Sequence, residues 1–249
     1  MLKTSPNLTL CVLDFANFVV GIGAFVVIGV LTPISVAFQI DQGGASWVLT
    51  SYSLVYAFTS PILVAVTGTV DRQRILTIGL ALFMSGALCA VLAPNFVLLL
   101  AARAVMAVGG GLVTPVAASI AVALVDPAMR GKALAIVFGG LTLSQVLGVP
   151  LGAWLGYAFG WQTAFIGVVL LSLLGLILIL LLLPRGISTA GTTLETLISV
   201  FEQPHLVIGV LLTALPLWRG FCSRAFLGPQ PVCYLVAMRL SECTMGNIP

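Results

Sequence analysis

Apolar residues run along this chain in six long blocks separated by short polar punctuation. The blocks fall at residues 8–31, 47–68, 75–93, 96–122, 133–156 and 161–183. A hydrocarbon core of about 30 Å takes about 20 residues of helix at a rise of about 1.5 Å each, and every block comes to about that length. Lipid offers no partner to backbone polar groups, so crossings of this kind are helical. The pattern therefore predicts six spanning helices. Residues 133–184 contain no charge, yet the stretch is too long for one crossing. The segment 156–161, with Gly156, Gly160, Tyr157, Phe159 and Trp161, marks the break, its aromatics belonging at an interface.

Beyond residue 183 the pattern changes. Residues 185–205 read as a polar connector holding Glu195 and Glu202. A seventh apolar run, 206–218, is interrupted by Pro216 and is too short to span. Residues 219–249 carry Arg219, Arg224, Arg239, Pro229, Pro231 and three of the five cysteines, with neither membrane nor ordinary soluble periodicity. The expected organisation is a six-helix bundle over 1–184, a cytoplasmic connector over 185–205, a partial seventh helix over 206–218 and an atypical tail over 219–249. A shifted reading frame or an interrupted gene gives such a tail, and so does a poorly ordered natural one.

Composition agrees with the block pattern. Only 7% of residues are charged and 60% are hydrophobic. About 25% charged residues is usual for a soluble domain, so this chain cannot clothe a water-facing globule. The net charge of +3 is scattered, which excludes a nucleic-acid surface. The placement of the basic residues is more telling. With the N-terminus inside, Lys3, Arg72, Arg74, Arg130, Lys132 and Arg185 all fall on the cytoplasmic side, and the opposite loops around Asp41, Asn95 and Tyr157 have no Lys or Arg. This predicts a multi-pass protein of the bacterial inner-membrane type with a cytoplasmic N-terminus.

Candidate chemistry is sparse. The cysteines lack CxxC spacing and a nearby histidine, so no metal or cofactor is expected, and Cys11 and Cys89 read as small buried apolar residues. The first block is too long for a signal core and contains Asp14, so it reads as a retained helix. His205 is the only histidine and no nucleophile–base constellation surrounds it, so no enzyme is expected.

Three motifs carry more. Gly68, Asp71, Arg72 and Arg74 occupy the connection between the second and third blocks, where Asp71 can cap the third helix. Arg103 precedes Gly109, Gly110 and Gly111 in the fourth. In the fifth, Gly148 and Pro150 are separated by Val149, and Gly152 follows. In this order and on these helices they resemble the loop signature, the fourth-helix motif and the fifth-helix antiporter motif of the major facilitator superfamily. Gln73 stands where that loop signature has a glycine, and the signature is one residue tighter. The spaced glycine and proline resemble the sugar-efflux, arabinose-export-like branch of the drug:proton antiporters. The resemblance implies an all-α fold, the N-terminal six-helix half of a transporter, with protons and a small molecule (a drug, a sugar or a related metabolite) as its partners. It also implies that the Asp71/Arg72 loop latches against a second half and that Arg103 lines a central cavity. A chain of this length reads as that half alone, inactive unless a C-terminal half or a second copy completes it. A non-transporting scaffold is the remaining reading.

Charge burial sharpens two sites. Arg103 lies about seven residues into its helix, roughly 10 Å deep at the helical rise. A guanidinium there costs at least about 2.5 kcal/mol, so it must face a cavity or a partner. Asp14 enters from the other side to roughly 9 Å, and either exchanges protons or sits solvated near the headgroups. The two depths keep them from a direct ion pair. Finally, Gly140, Ser144, Gly148, Gly152 and Gly156 recur every fourth residue. Such a stripe is either a static seam or a pivot surface toward a second bundle or a second copy.

Overall fold

The computed structural model describes residues 6–183 except Thr69. The expected connector, partial seventh helix and tail, with His205 and Cys222, Cys233 and Cys243, lie outside the described residues. Six α-helices run antiparallel: α1 Pro6–Phe38, α2 Gln42–Val66, α3 Arg72–Val91, α4 Phe96–Ala123, α5 Arg130–Phe159 and α6 Trp161–Leu182. All six are long and apolar enough to cross a membrane. A 3-10 turn, Pro127–Met129, leads into α5.

The helices begin where side chains satisfy the first free amides. Asp41 accepts from Gly44 N at 3.2 Å, Asp71 from Gln73 N at 3.2 Å and Asn95 from Leu98 N at 2.8 Å. These caps move two predicted boundaries. α2 starts at Gln42, five residues before the expected apolar block, and α3 starts at Arg72. α1 also runs seven residues past its expected end, because Pro33 is tolerated inside it and Ile34 and Ser35 remain buried. It stops at Gln39, whose φ of 53° breaks the helix. The break between α5 and α6 is where the aromatic segment places it, at Gly160 with φ 94°.

α1 packs chiefly on α5, and α3 on α4, with α2 against α4 and α6 against α3 and α1. Leu13, Leu76, Leu80, Phe83, Met106, Ile120 and Phe165 are fully buried where these helices meet. Cys11 and Cys89, expected inside, are exposed on the outer faces of α1 and α3. An apolar run does not tell which of its residues face inward, and lipid accepts a thiol as readily as a methyl group.

Four helices contain an internal proline. Pro115 of α4 has no amide to offer the carbonyl of Gly111, four residues earlier. Ser60 of α2 takes that place: its hydroxyl donates to Gly111 O at 2.9 Å. An orphaned buried carbonyl costs about 1–3 kcal/mol. Ser60→Ala is therefore expected to destabilise the bundle by about 1–2 kcal/mol, measured by SDS titration in mixed micelles. Ser60→Thr, which keeps the hydroxyl, is expected to stay within about 0.5 kcal/mol.

Candidate functional site

Arg103 is fully buried between α1, α2 and α4. Its Nη1 donates to Gly23 O of α1 at 2.7 Å and approaches Met106 Sδ at 3.8 Å. Its Nε donates to Val48 O of α2 at 3.4 Å. The guanidinium carbon lies 4.3 Å from the centroid of the Tyr52 ring, a cation–π arrangement. Tyr52 stacks in turn on Tyr56 at 6.0 Å. Gly110 makes room for this pair, since a side chain there would meet the Tyr52 hydroxyl. Arg103 Nη2 and the Tyr52 hydroxyl, both buried, make no hydrogen bond within the described protein.

Arg103 therefore avoids lipid, as its charge demands, but it does so on backbone carbonyls and an aromatic face and not on an open wall. No acid pairs with it among the described residues. Gly23, its α1 partner, is nine residues beyond Asp14, about 13 Å along the helix, so the two charges are as separate as their depths imply.

Asp14 is half-buried, and its Oδ1 accepts from Gly140 N of α5 at 2.5 Å. One turn further along α1, fully buried Asn17 donates from Nδ2 to Val137 O at 2.9 Å. Two polar side chains of α1 thus hold one turn of α5.

The five stripe residues Gly140, Ser144, Gly148, Gly152 and Gly156 are all buried on one face of α5. That face meets α1. A Cβ at Gly148 would lie 3.0 Å from Phe25 Cβ, one at Gly156 2.6 Å from Val30 Cγ1, and one at Gly152 would overlap Val26 O. Gly29 of α1 answers from the other side, against Val149 and Ala153. Of the two readings of the stripe, the described helices show the seam: its residues pack against α1. Pro150 points away from it and is exposed.

At the α2–α3 connection, Asp71 caps α3 and lies 4.0 Å from Arg74 Nε, while Arg72 turns inward and is 2% exposed. Arg74 stays outside. Gly68 is buried at the end of α2. Tyr52, Asn17 and Ser60 complete these arrangements, and sequence reasoning did not single them out. Only Asn17 left a trace, as a second polar residue one turn from Asp14 in an apolar run.

The sequence profile of the Major Facilitator Superfamily matches residues 13–241. The chain belongs to the Major Facilitator Superfamily. Its relatives include the uncharacterized MFS-type transporter YbcL of Bacillus subtilis (strain 168), 32% identical over 220 residues, which cover 88% of this chain and 56% of that protein. The chain thus spans about half the length of the curated relative it matches. Solved structures share the fold. A peptide transporter, POT, in complex with sulfate superposes with a TM-score of 0.66 at 19% identity, over 83% of this chain and 46% of that one. The proton:xylose symporter XylE, bound to 6-bromo-6-deoxy-D-glucose, gives 0.62 at 15% identity, over 70% and 44%. The major facilitator family is one of transporters, not enzymes. The six described helices are a six-helix bundle of that fold.

Proposed function

We propose that this chain supplies the first six-helix bundle of a proton-coupled efflux transporter of the sugar-efflux, arabinose-export-like branch of the drug:proton antiporters. It works in a bacterial inner membrane with its N-terminus in the cytoplasm. The observation that carries the reading is Arg103, a buried cation held mid-bundle without an acidic partner among the described residues. A charge kept at that cost is a functional feature by default in a membrane. The branch assignment is supported by the Gly148–Val149–Pro150 spacing, and the orientation by the basic residues gathered at one end of the bundle.

In this reading transport proceeds by rocking two bundles around a central site. The Asp71–Arg74 connection latches this bundle to the second on the cytoplasmic side. Arg103 and Asp14 bind solute or exchange protons, Arg103 through carbonyl bonds that can be traded for a ligand. The second bundle comes from further helices of the whole protein or from another copy.

The test is flux under an imposed pH gradient in proteoliposomes in which a second bundle completes this one, with ethidium and labelled arabinose as probes. Accumulation of one probe that collapses with the gradient is expected. Flux that ignores the gradient removes proton coupling, and absence of flux for both removes the branch assignment.

A further inference from the structure

The α1–α5 contact holds an unmatched pair of polar groups. Asp14 and Asn17 are three residues apart on α1, hence neighbours on one helix face, and both engage the same turn of α5. The Asn17 amide orientation is set by its partner, since only Nδ2 can donate to Val137 O. That leaves Oδ1 pointing elsewhere. It is fully buried and accepts no hydrogen bond in the described protein. A buried acceptor without a donor is rare, and here the nearest polar side chain along α1 is a carboxyl group.

We propose that Asp14 and Asn17 together form a proton-binding site that locks α1 to α5. This rests on the reading of Asp14 as a proton-exchanging residue and adds its partner and its effect. In the protonated state the Asp14 O–H donates to Asn17 Oδ1, while the other carboxyl oxygen accepts from Gly140 N. Every polar atom of the cluster is then matched. In the ionised state two acceptors face each other, with Gly140 N the one donor the structure gives the carboxylate. The proton then leaves to water at the N-terminal end of the bundle, and the carboxylate follows it into solvent. The seam starts at Gly140, so releasing that turn frees the first contact of the whole stripe.

No other charge compensates Asp14. On the elements packed against α1, the charged groups are Arg103 of α4, Arg72 and Arg74 of α3 with Asp71 capping it, Asp41 capping α2, Asp126 between α4 and α5, and Arg130 and Lys132 at the start of α5; α6 has none. Arg130 and Lys132 are two turns or more before Gly140, and no ion pair to Asp14 occurs among the described residues. The remaining titratable groups nearby are exposed Cys11 on α1 and Tyr52 and Tyr56 of α2, the latter two on the Arg103 side.

Two measurements on the full chain in bilayers test the site. Infrared difference spectra on acidification are expected to show a protonated-carboxyl band that Asp14→Asn removes and that Asn17→Leu moves to higher wavenumber, as a donated hydrogen bond is lost. Spin labels at Asn7→Cys and Lys132→Cys, in a background without other cysteines, are expected to report a narrower α1–α5 separation at acid pH. Asp14→Asn mimics the protonated group, because its amide can both donate to Asn17 and accept from Gly140, so it is expected to hold the narrow separation at every pH. A carboxyl band unmoved by Asn17→Leu, or label distances that still depend on pH in Asp14→Asn, overturns the lock and leaves Asp14 free to exchange protons alone. Absence of any Asp14 band on acidification overturns the reading of Asp14 itself.

Discussion

Gly152→Val is expected to destabilise the bundle by about 3 kcal/mol or more. Overpacking by flexible side chains costs less, because a rotamer change absorbs it. Here the first added atom overlaps Val26 O, a backbone atom of α1. It can yield only if α1 moves as a body. Gly29 and Ala153 meet at the same crossing, so the displacement also breaks close contact a turn along α1. The control is Gly167→Ala in α6, where an added Cβ meets nothing within 4 Å. Alanine is the better helix former, so that change is expected to be neutral or stabilising by up to about 1 kcal/mol. SDS titration of the two variants separates a seam from a mere run of small residues. If both behave alike, the seam does not bear on stability.

Arg103→Leu is expected to leave a folded bundle that does not transport. The stability terms nearly cancel. Losing the charged hydrogen bonds costs about 1.5–3 kcal/mol each, and losing the contact with Tyr52 up to about 2 kcal/mol. Against this, removing a charge from mid-membrane returns about 2.5–3.5 kcal/mol, and leucine recovers apolar contact. Gly23 O and Val48 O lie within helices whose own amides can still bond them, so neither is left orphaned. The net is expected within about 2 kcal/mol. Transport has no such compensation, since leucine can neither bind an anionic or polar group nor stack as a cation. Arg103→Lys keeps the charge but not the planar fork that lies on Tyr52 while reaching two carbonyls, and is expected to recover only part of the flux.

The number of helices was legible because each apolar block is long enough to be one crossing and too short to be two, once Gly160 divides the last pair. The helix starts were less so. Asp41 and Asp71 extend α2 and α3 outward through polar residues that a hydropathy reading discards, and α1 continues through Pro33 beyond the end of its apolar block. At the site, the depth of Arg103 and its need for a partner followed from its position in the block. Its partners did not: Gly23, Val48 and Tyr52 are 51 to 80 residues away in sequence, and backbone carbonyls leave no mark in a sequence. The stripe on α5 was visible by its period of four, but a period names a face and not what covers it. α1 covers it, and the matching Gly29 was recognisable only once the helices were docked. Asn17 was hidden for a similar reason, as an amide in an apolar run whose use depends on where α5 lies.

In the proposed function, Arg103 couples this bundle to solute movement. The most direct measurement is gradient-driven flux of the responsive probe in proteoliposomes in which a second bundle completes wild type, Arg103→Lys or Arg103→Leu, each first shown to be folded by SDS titration. Folded Arg103→Leu is expected to lose flux by roughly tenfold or more, the scale of a coupling free energy of about 1.4 kcal/mol, with Arg103→Lys in between. Flux of folded Arg103→Leu within about twofold of wild type, below the usual range of such couplings, would contradict it and leave Arg103 a structural cation.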